Sequence, residues 1–330
     1  MASFSLQNTP QGQNIPQGCN IHHKVSTDRG FDEPCALAIG SFDGVHLGHQ
    51  SIVRDVVAEA RRLGIKARLL TFYPRPSEYF AADKILPSLM SWREKVCFLA
   101  SLGLDDVICM PFNLSLSRLP ADVFVQQILL EGLNTKYLSV GEDFHFGAKR
   151  GGNAATLADM SQAAGFELKI AETQLDGVSR ISSTLIRQHL IEGEMSAAER
   201  MLGRPYRLGG KVIRGKQLGR QIGVPTANVH LKRTRLCVNG VFTAMAWLDG
   251  RACPAVVNVG YRPAVDQLDK PLLEAHLLDY DGDLYGQRLE VDLLCKLREE
   301  QKFDSLQALT EQIHADTEEA KLWHRSRSAN

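Results

Sequence analysis

Residues 35–49 read Cys-Ala-Leu-Ala-Ile-Gly-Ser-Phe-Asp-Gly-Val-His-Leu-Gly-His, and they decide the fold of the first half of the chain. Cys35–Ile39 is a short unbroken apolar run closed by Gly40, the mark of a buried strand. Beyond the turn, Ile52, Val53, Val56, Val57 and Ala60 recur at helical spacing, and Ala67–Phe72 supplies a second buried strand. Strand, helix and strand with a crossover of this length make a βαβ unit, and parallel pairing follows. The rhythm continues with helices at Trp92–Leu102, Ala121–Gly132 and Ala155–Ala164. Strands at Val107–Met110, Tyr137–Val140 and Glu167–Ala171 alternate with them, so we expect a doubly wound α/β domain.

The rhythm changes after Gly203-Arg204-Pro205. Short alternating stretches at Gly240–Leu248, Ala255–Val259, Leu273–Leu278 and Leu289–Leu294 are separated by Gly, Pro, Asn and Asp. That spacing predicts an antiparallel β-barrel, closed by a helix over Phe303–Thr317. A length of 330 residues exceeds one comfortable core. The expected organisation is a flexible tail over 1–30, an α/β domain over 31–190, a linker over 191–205 and a barrel domain over 206–325.

Charge is balanced, 38 Lys and Arg against 38 Asp and Glu, so no global field draws the chain to nucleic acid or membrane. No apolar run approaches the roughly 20 residues that span a bilayer. The first 30 residues are rich in Gln, Asn, Ser and Pro and lack the apolar centre of a signal peptide. Seven scattered cysteines without a C-x-x-C pair argue against a disulfide framework and a thiolate metal site, and suit a reducing compartment. The expectation is a cytoplasmic protein acting on small molecules, with a weak homo-oligomer as the form self-association would take.

Gly40–His49 lies where the first strand gives way to the first helix. In an open α/β sheet, ligands collect at the carboxyl ends of strands and phosphates at helix N-termini. Glycines at 40, 44 and 48 let the backbone turn tightly and approach a ligand. His46 and His49 are three apart and share one side of a helix start, where two imidazoles can donate to triphosphate oxygens. An H-x-x-H pair alone equally suits a metal or two surface histidines; the three glycines after a buried strand favour a nucleotide. Downstream, Ser182, Ser183 and Thr184 precede a helical stretch and suit an N-cap. The same hydroxyls, with the planar fork of Arg187 one turn on, also suit phosphate.

Gly40-x-Phe42-Asp43-Gly44-Val45-His46-x-Gly48-His49 resembles the H-x-G-H signature of nucleotidyltransferases, in the form carried by bacterial bifunctional riboflavin kinase/FAD synthetases. In the same order, Val140–Gly147 and Arg180–Arg187 are similar to later motifs of that family, the second to I-S-S-T-x-I-R. Residues 219–228, Gly-Arg-Gln-Ile-Gly-Val-Pro-Thr-Ala-Asn, are similar to the G-R-x-x-G-x-P-T-A-N motif of riboflavin kinases. Asn258–Pro263 matches N-V-G-x-R-P, and Leu273–Leu277 resembles the family's L-E-x-H strand. The likeness covers about residues 35–320.

The resemblance implies two Mg²⁺- and ATP-dependent steps: riboflavin to FMN in the barrel domain, and FMN to FAD with release of pyrophosphate in the α/β domain. For adenylyl transfer it implies ATP contacts at Gly40, Phe42, Gly44, His46, His49, Ser182, Ser183, Thr184 and Arg187. His46 and His49 would be catalytic, and Asp143 and Phe146 would touch flavin or adenine. Such a transfer needs only an acceptor phosphate in line with the α-phosphate of ATP, so positioning and electrostatics carry it. For the kinase, Glu274 is the implied base for the ribityl hydroxyl. Asn258 and Arg262 would line the flavin pocket, and Gly210 and Lys216 would belong to a basic loop around the phosphates. If Thr226–Asn228 is extended, Thr226 and Asn228 share one face, and their oxygens are hard donors suited to Mg²⁺. Ala264 stands where the family commonly has Thr, and Val265–Pro271 also departs from its pattern. Two alternatives stay open: an FMN adenylyltransferase with an impaired kinase domain, or a flavin- or nucleotide-binding sensor on the same scaffold.

Overall fold

The computed structural model describes residues 18–23, 25, 30–81, 86–215, 224–262 and 270–328. The chain divides into two units, the first holding the described chain up to Leu86 together with Trp92–Ile181, the second holding Pro87–Ser91 and Ser182–Asn330.

The first unit is built on six parallel strands. These are β1 (Asn20–His22), β2 (Cys35–Ile39), β3 (Lys66–Tyr73), β4 (Asp106–Pro111), β5 (Thr135–Gly141) and, after a small hairpin of β6 (His145–Phe146) and β7 (Gly152–Asn153), β8 (Glu167–Ala171). They stand in the order β1-β4-β3-β2-β5-β8. From β2 onward this is the doubly wound order, whose switch point lies between β2 and β5. The first crossover, α1 (Leu47–Leu63), buries Ile52, Val53, Val56, Val57 and Ala60. It stops at Gly64, whose φ of 67° lies in the left-handed region that glycine adopts without a Cβ penalty. Then come α2 (Pro76–Phe80), α3 (Trp92–Ser101), α4 (Leu114–Ser117) and α5 (Ala121–Val123), the last running on as a π-helical stretch over Phe124–Gly132. α6 (Ala154–Ala164) leads to β8, and a hairpin of β9 (Leu175–Asp176) and β10 (Ser179–Arg180) ends the unit.

Two features differ from the sequence reading. Asn20–His22, assigned to the tail, is an edge strand parallel to β4. Its anchor is Asp106 at the start of β4, 3.2 Å from Asn20 Nδ2 and 2.9 Å from His22 Nε2. The stretch assigned as a linker holds the end of α7 (Ser183–Glu192) and all of α8 (Met195–Leu202), and both helices belong to the second unit. α8 buries Met195, Ala198, Met201 and Leu202, an apolar stripe at helical spacing.

The second unit closes six antiparallel strands into a barrel. β11 (Tyr206–Ile213), β12 (Ala227–His230), β13 (Gly240–Leu248), β14 (Arg251–Arg262), β15 (Lys270–Leu277) and β16 (Arg288–Arg298) run in the order β11-β12-β15-β14-β13-β16. β16 pairs with both β13 and β11, so no edge is left open. The final helix, α9 (Leu306–Ser328), is longer than the predicted one. Its added turns have partners: Ala320 packs with Val241, Val256 and Leu278, and His324 Nε2 lies 3.1 Å from Thr243 Oγ1. None of the seven cysteines forms a disulfide. Among the described residues, no helix is long and apolar enough to cross a membrane.

Candidate functional site

The chain leaves β2 and enters α1 through a turn with three residues at positive φ: Phe42 (46°), Gly44 (80°) and Val45 (40°). Phe42 and Val45 are fully buried in a conformation that costs of order 1–3 kcal/mol each, a kind of strain that gathers at ligand sites. The turn is fastened from three sides. Buried Asp43 pairs with Arg75, which also binds Glu78 at 2.6 Å. Lys95 Nζ of α3 donates to the Ser41 carbonyl at 2.8 Å, and Thr71 Oγ1 of β3 donates to it at 3.3 Å.

His46 is the N-cap of α1, its Nδ1 accepting the His49 N–H at 3.3 Å. A ring nitrogen that accepts carries no hydrogen, so His46 holds its proton on Nε2. The two imidazoles stack, with centroids 3.7 Å apart and planes 19° from parallel. Gly48 makes room for them, since a Cβ there would lie 3.3 Å from His46 Nδ1. His49 Nδ1 is buried without a hydrogen-bond partner among the described residues. Burial, with His46 and Lys95 close by, holds the His49 imidazole well below its usual pKa and therefore neutral near pH 7. The result is a pair of imidazoles at the positive end of a 17-residue helix, an arrangement suited to anionic oxygens.

The other residues expected at this site are distributed differently. Ser182 caps α7, its Oγ accepting the Leu185 N–H at 3.2 Å, and Ser183 and Thr184 form the first turn. Arg187 is buried, its Nε donating to Pro87 O at 2.7 Å and its Nη1 to Ser183 O at 3.1 Å. Those two donors therefore hold backbone carbonyls. These four residues belong to the second unit and the cradle to the first. Asp143 is exposed and paired with Arg180 at 2.8 Å. Phe146 is buried, stacked on Phe144 at 5.5 Å and tilted on Phe124 at 5.8 Å, so its ring is part of the core.

In the barrel, Glu274 of β15 lies directly between Asn228 of β12 and Asn258 of β14 in the strand register. Cross-strand partners share a face, so the three side chains form one polar row. Alternation along β15 agrees: Leu273, Ala275 and Leu277 are buried, and Glu274 and His276 are half-buried on the other face. Asn228 is 5% exposed, and a Cβ at Gly215 would lie 2.4 Å from its Nδ2. Thr226 is half-buried just before β12, beside Pro225, whose carbonyl lies 2.8 Å from His276 Nδ1. Asn258 Nδ2 donates to Glu300 Oε1 at 3.1 Å, while its Oδ1 is buried without a donor among the described residues. Such an acceptor is one that a ligand hydrogen or a cation would satisfy.

Gly210, expected in a loop, lies inside β11, where a Cβ would meet the His230 carbonyl oxygen at 2.1 Å. Its smallness serves the approach of two strands. Lys216, residues 219–223, Ala264 and 265–269 lie outside the described residues, as does the side chain of Arg262. Sequence spacing singled out neither Arg75 nor Lys95 nor Glu300. A carboxylate inside the apolar turn at Asp43 is a signal for the first, because a buried acid calls for a cation. Glu300 lies in Lys296–Phe303, a stretch that follows the family pattern, and no comparable signal marks Lys95.

Residues 28–185 match the FAD synthetase family and residues 202–324 the riboflavin kinase family. The chain is similar to the bifunctional riboflavin kinase/FMN adenylyltransferase of Pseudomonas fluorescens, with 43% identity across 87% of this chain and 92% of the relative. The enzyme of the same name from Escherichia coli strain K12 is 41% identical across 86% of this chain and 91% of its own length. A crystal structure described as a macrolide-efflux protein from Streptococcus pneumoniae aligns with a TM-score of 0.80 and 27% identity, covering 91% of this chain and 98% of that one. The chain belongs to the bifunctional riboflavin kinase/FMN adenylyltransferase family.

Proposed function

We propose that this chain makes FAD from riboflavin in two ATP-dependent steps. The barrel unit phosphorylates riboflavin to FMN, and the α/β unit transfers the adenylyl group of ATP to FMN with release of pyrophosphate. The observation that carries this reading is coverage: each half matches its own enzyme family, and relatives above 40% identity align over more than nine-tenths of their length.

In the first step Glu274 accepts the proton of the ribityl hydroxyl as that oxygen attacks the γ-phosphorus and ADP leaves. Asn258, one strand away, holds the flavin side of the pocket. Thr226 and Asn228 supply a hydroxyl and an amide oxygen beside Glu274, a hard-donor set that fits Mg²⁺. When bound, the ion neutralises charge on the phosphates of ATP. In the second step an oxygen of the FMN phosphate attacks the α-phosphorus and pyrophosphate leaves. The Nε2–H of His46 and the imidazole of His49 stabilise charge on the phosphate oxygens, with the backbone of Gly40, Phe42 and Gly44 lining the cradle. A sensor would have no use for a base, and Glu274 keeps its place in the polar row.

The test is direct. Purified protein is incubated with riboflavin, ATP and MgCl₂, and products are separated by chromatography. FMN without FAD sinks the adenylyl step; conversion of FMN but not of riboflavin sinks the kinase step.

A further inference from the structure

Lys95 belongs to none of the family motifs, yet its side chain is buried against the phosphate cradle, at 7% exposure. An ammonium taken out of water must be compensated. Nζ donates to the Ser41 carbonyl at 2.8 Å; burial lowers its pKa from the ordinary value, and the charged and titratable groups around it are Asp43, Arg75, Glu78, Cys109 and His49. The same carbonyl accepts the hydroxyl of fully buried Thr71 at 3.3 Å. Ser41 O is thereby held toward the interior by two side chains from two elements. The Ser41–Phe42 peptide is trans, so its N–H points opposite to its C=O. Anchoring the carbonyl inward turns the Phe42 N–H outward, and among the described residues that N–H has no acceptor.

We propose that Lys95 is a positioning residue for adenylyl transfer: with Thr71 it fixes the Ser41–Phe42 peptide so that the Phe42 N–H faces the phosphates of ATP, and it adds a positive charge beside His46 and His49. The inference rests on the adenylyl-transfer reading given above. A donor set in place before the substrate arrives needs no reorganisation during the transfer. Lys95 also bears on His49, whose protonation it disfavours together with burial and His46. Asp43, Arg75 and Glu78 stand around Lys95.

Full-length Lys95→Met and Lys95→Arg proteins are compared with wild type in two assays, FMN to FAD and riboflavin to FMN. Lys95→Met is expected to lose about 100-fold in kcat for FAD formation with a much smaller change in KM for ATP. Riboflavin phosphorylation stays at the wild-type rate. Lys95→Arg restores most of the lost rate. The acid limb of the FAD pH–rate profile moves to higher pH in Lys95→Met, because His49 then protonates more readily, and stays in place in Lys95→Arg. Wild-type FAD formation by Lys95→Met overturns the inference. So does a slow Lys95→Met whose acid limb is unmoved and which Lys95→Arg does not rescue, since packing alone gives that pattern. A wild-type protein that forms no FAD overturns the adenylyl-transfer reading itself, and this inference with it.

Discussion

His46 caps the helix that carries His49, accepting the His49 amide on Nδ1 while the two rings stack at 3.7 Å. The helix cap and the stacked imidazole pair are therefore one arrangement. The hydrogen bond that starts α1 also fixes the tautomer of His46, and a Cβ at residue 48 would crowd the His46 ring at 3.3 Å.

His49→Ala removes a ring without touching the cap. FAD formation is expected to fall by about 10²–10³-fold, with riboflavin phosphorylation near normal. Equal loss of both activities would refute separate sites. His46→Ala removes the ring and the cap together, adding a stability loss of about 1 kcal/mol. His46→Asn keeps a capping side chain, so it should recover the unfolding midpoint in urea without recovering FAD formation.

Glu274→Gln preserves shape and removes the proton acceptor. Riboflavin phosphorylation should fall by about 10²–10⁴-fold while FMN is still converted to FAD. A kinase rate within error of wild type removes Glu274 from the chemistry.

Gly210→Ala places a methyl group 2.1 Å from a backbone oxygen of β12, a contact that only a backbone shift can relieve. β11 and β12 must part locally, at a cost of about 1–3 kcal/mol or more. Thermal unfolding followed by circular dichroism should show a lower midpoint for the barrel, with riboflavin phosphorylation lost earlier on heating than FAD formation from FMN. An unchanged midpoint would show that the strands can give way there.

What was legible in the sequence is what repeats within a short window. Cys35–Ile39 and the stripe from Ile52 to Ala60 announce a strand and a helix by spacing alone, and β13 to β16 do so by alternation. What depended on distant contacts was not legible. Asn20–His22 carries no strand pattern, and its partner Asp106 lies 84 residues from His22. Arg187 reads as a phosphate fork from its place after three hydroxyls, yet its Nε goes to a carbonyl 100 residues upstream. Lys95 has the sequence surroundings of a solvated lysine, and only the fold of the turn around Ser41 buries it. α8 carries an apolar stripe of Met195, Ala198, Met201 and Leu202, but it is one short helix directly before Gly203-Arg204-Pro205, a composition that marks a boundary as well as a helix end.

Asp106 gives the first unit an acid sensitivity whose sign can be worked out. Its carboxylate, 5% exposed, accepts from Arg68 Nε at 3.0 Å as well as from His22 and Asn20. Burial alone would raise its pKa; the hydrogen bonds from His22, Arg68 and Asn20 outweigh burial and hold it below the ordinary value. A carboxyl depressed in the folded state contributes stability that is fully present above its unfolded pKa, near 3.9, and is lost as pH falls through the folded one. The contribution should be constant above about pH 5 and decline below about pH 4. Asp106→Asn removes the charge and leaves Arg68, 1% exposed, without its counter-charge, costing about 3 kcal/mol at neutral pH. Urea midpoints of the two proteins between about pH 3 and 7 should therefore converge as the pH falls. Parallel curves would assign the acid loss to a different carboxylate, since a group already removed cannot titrate.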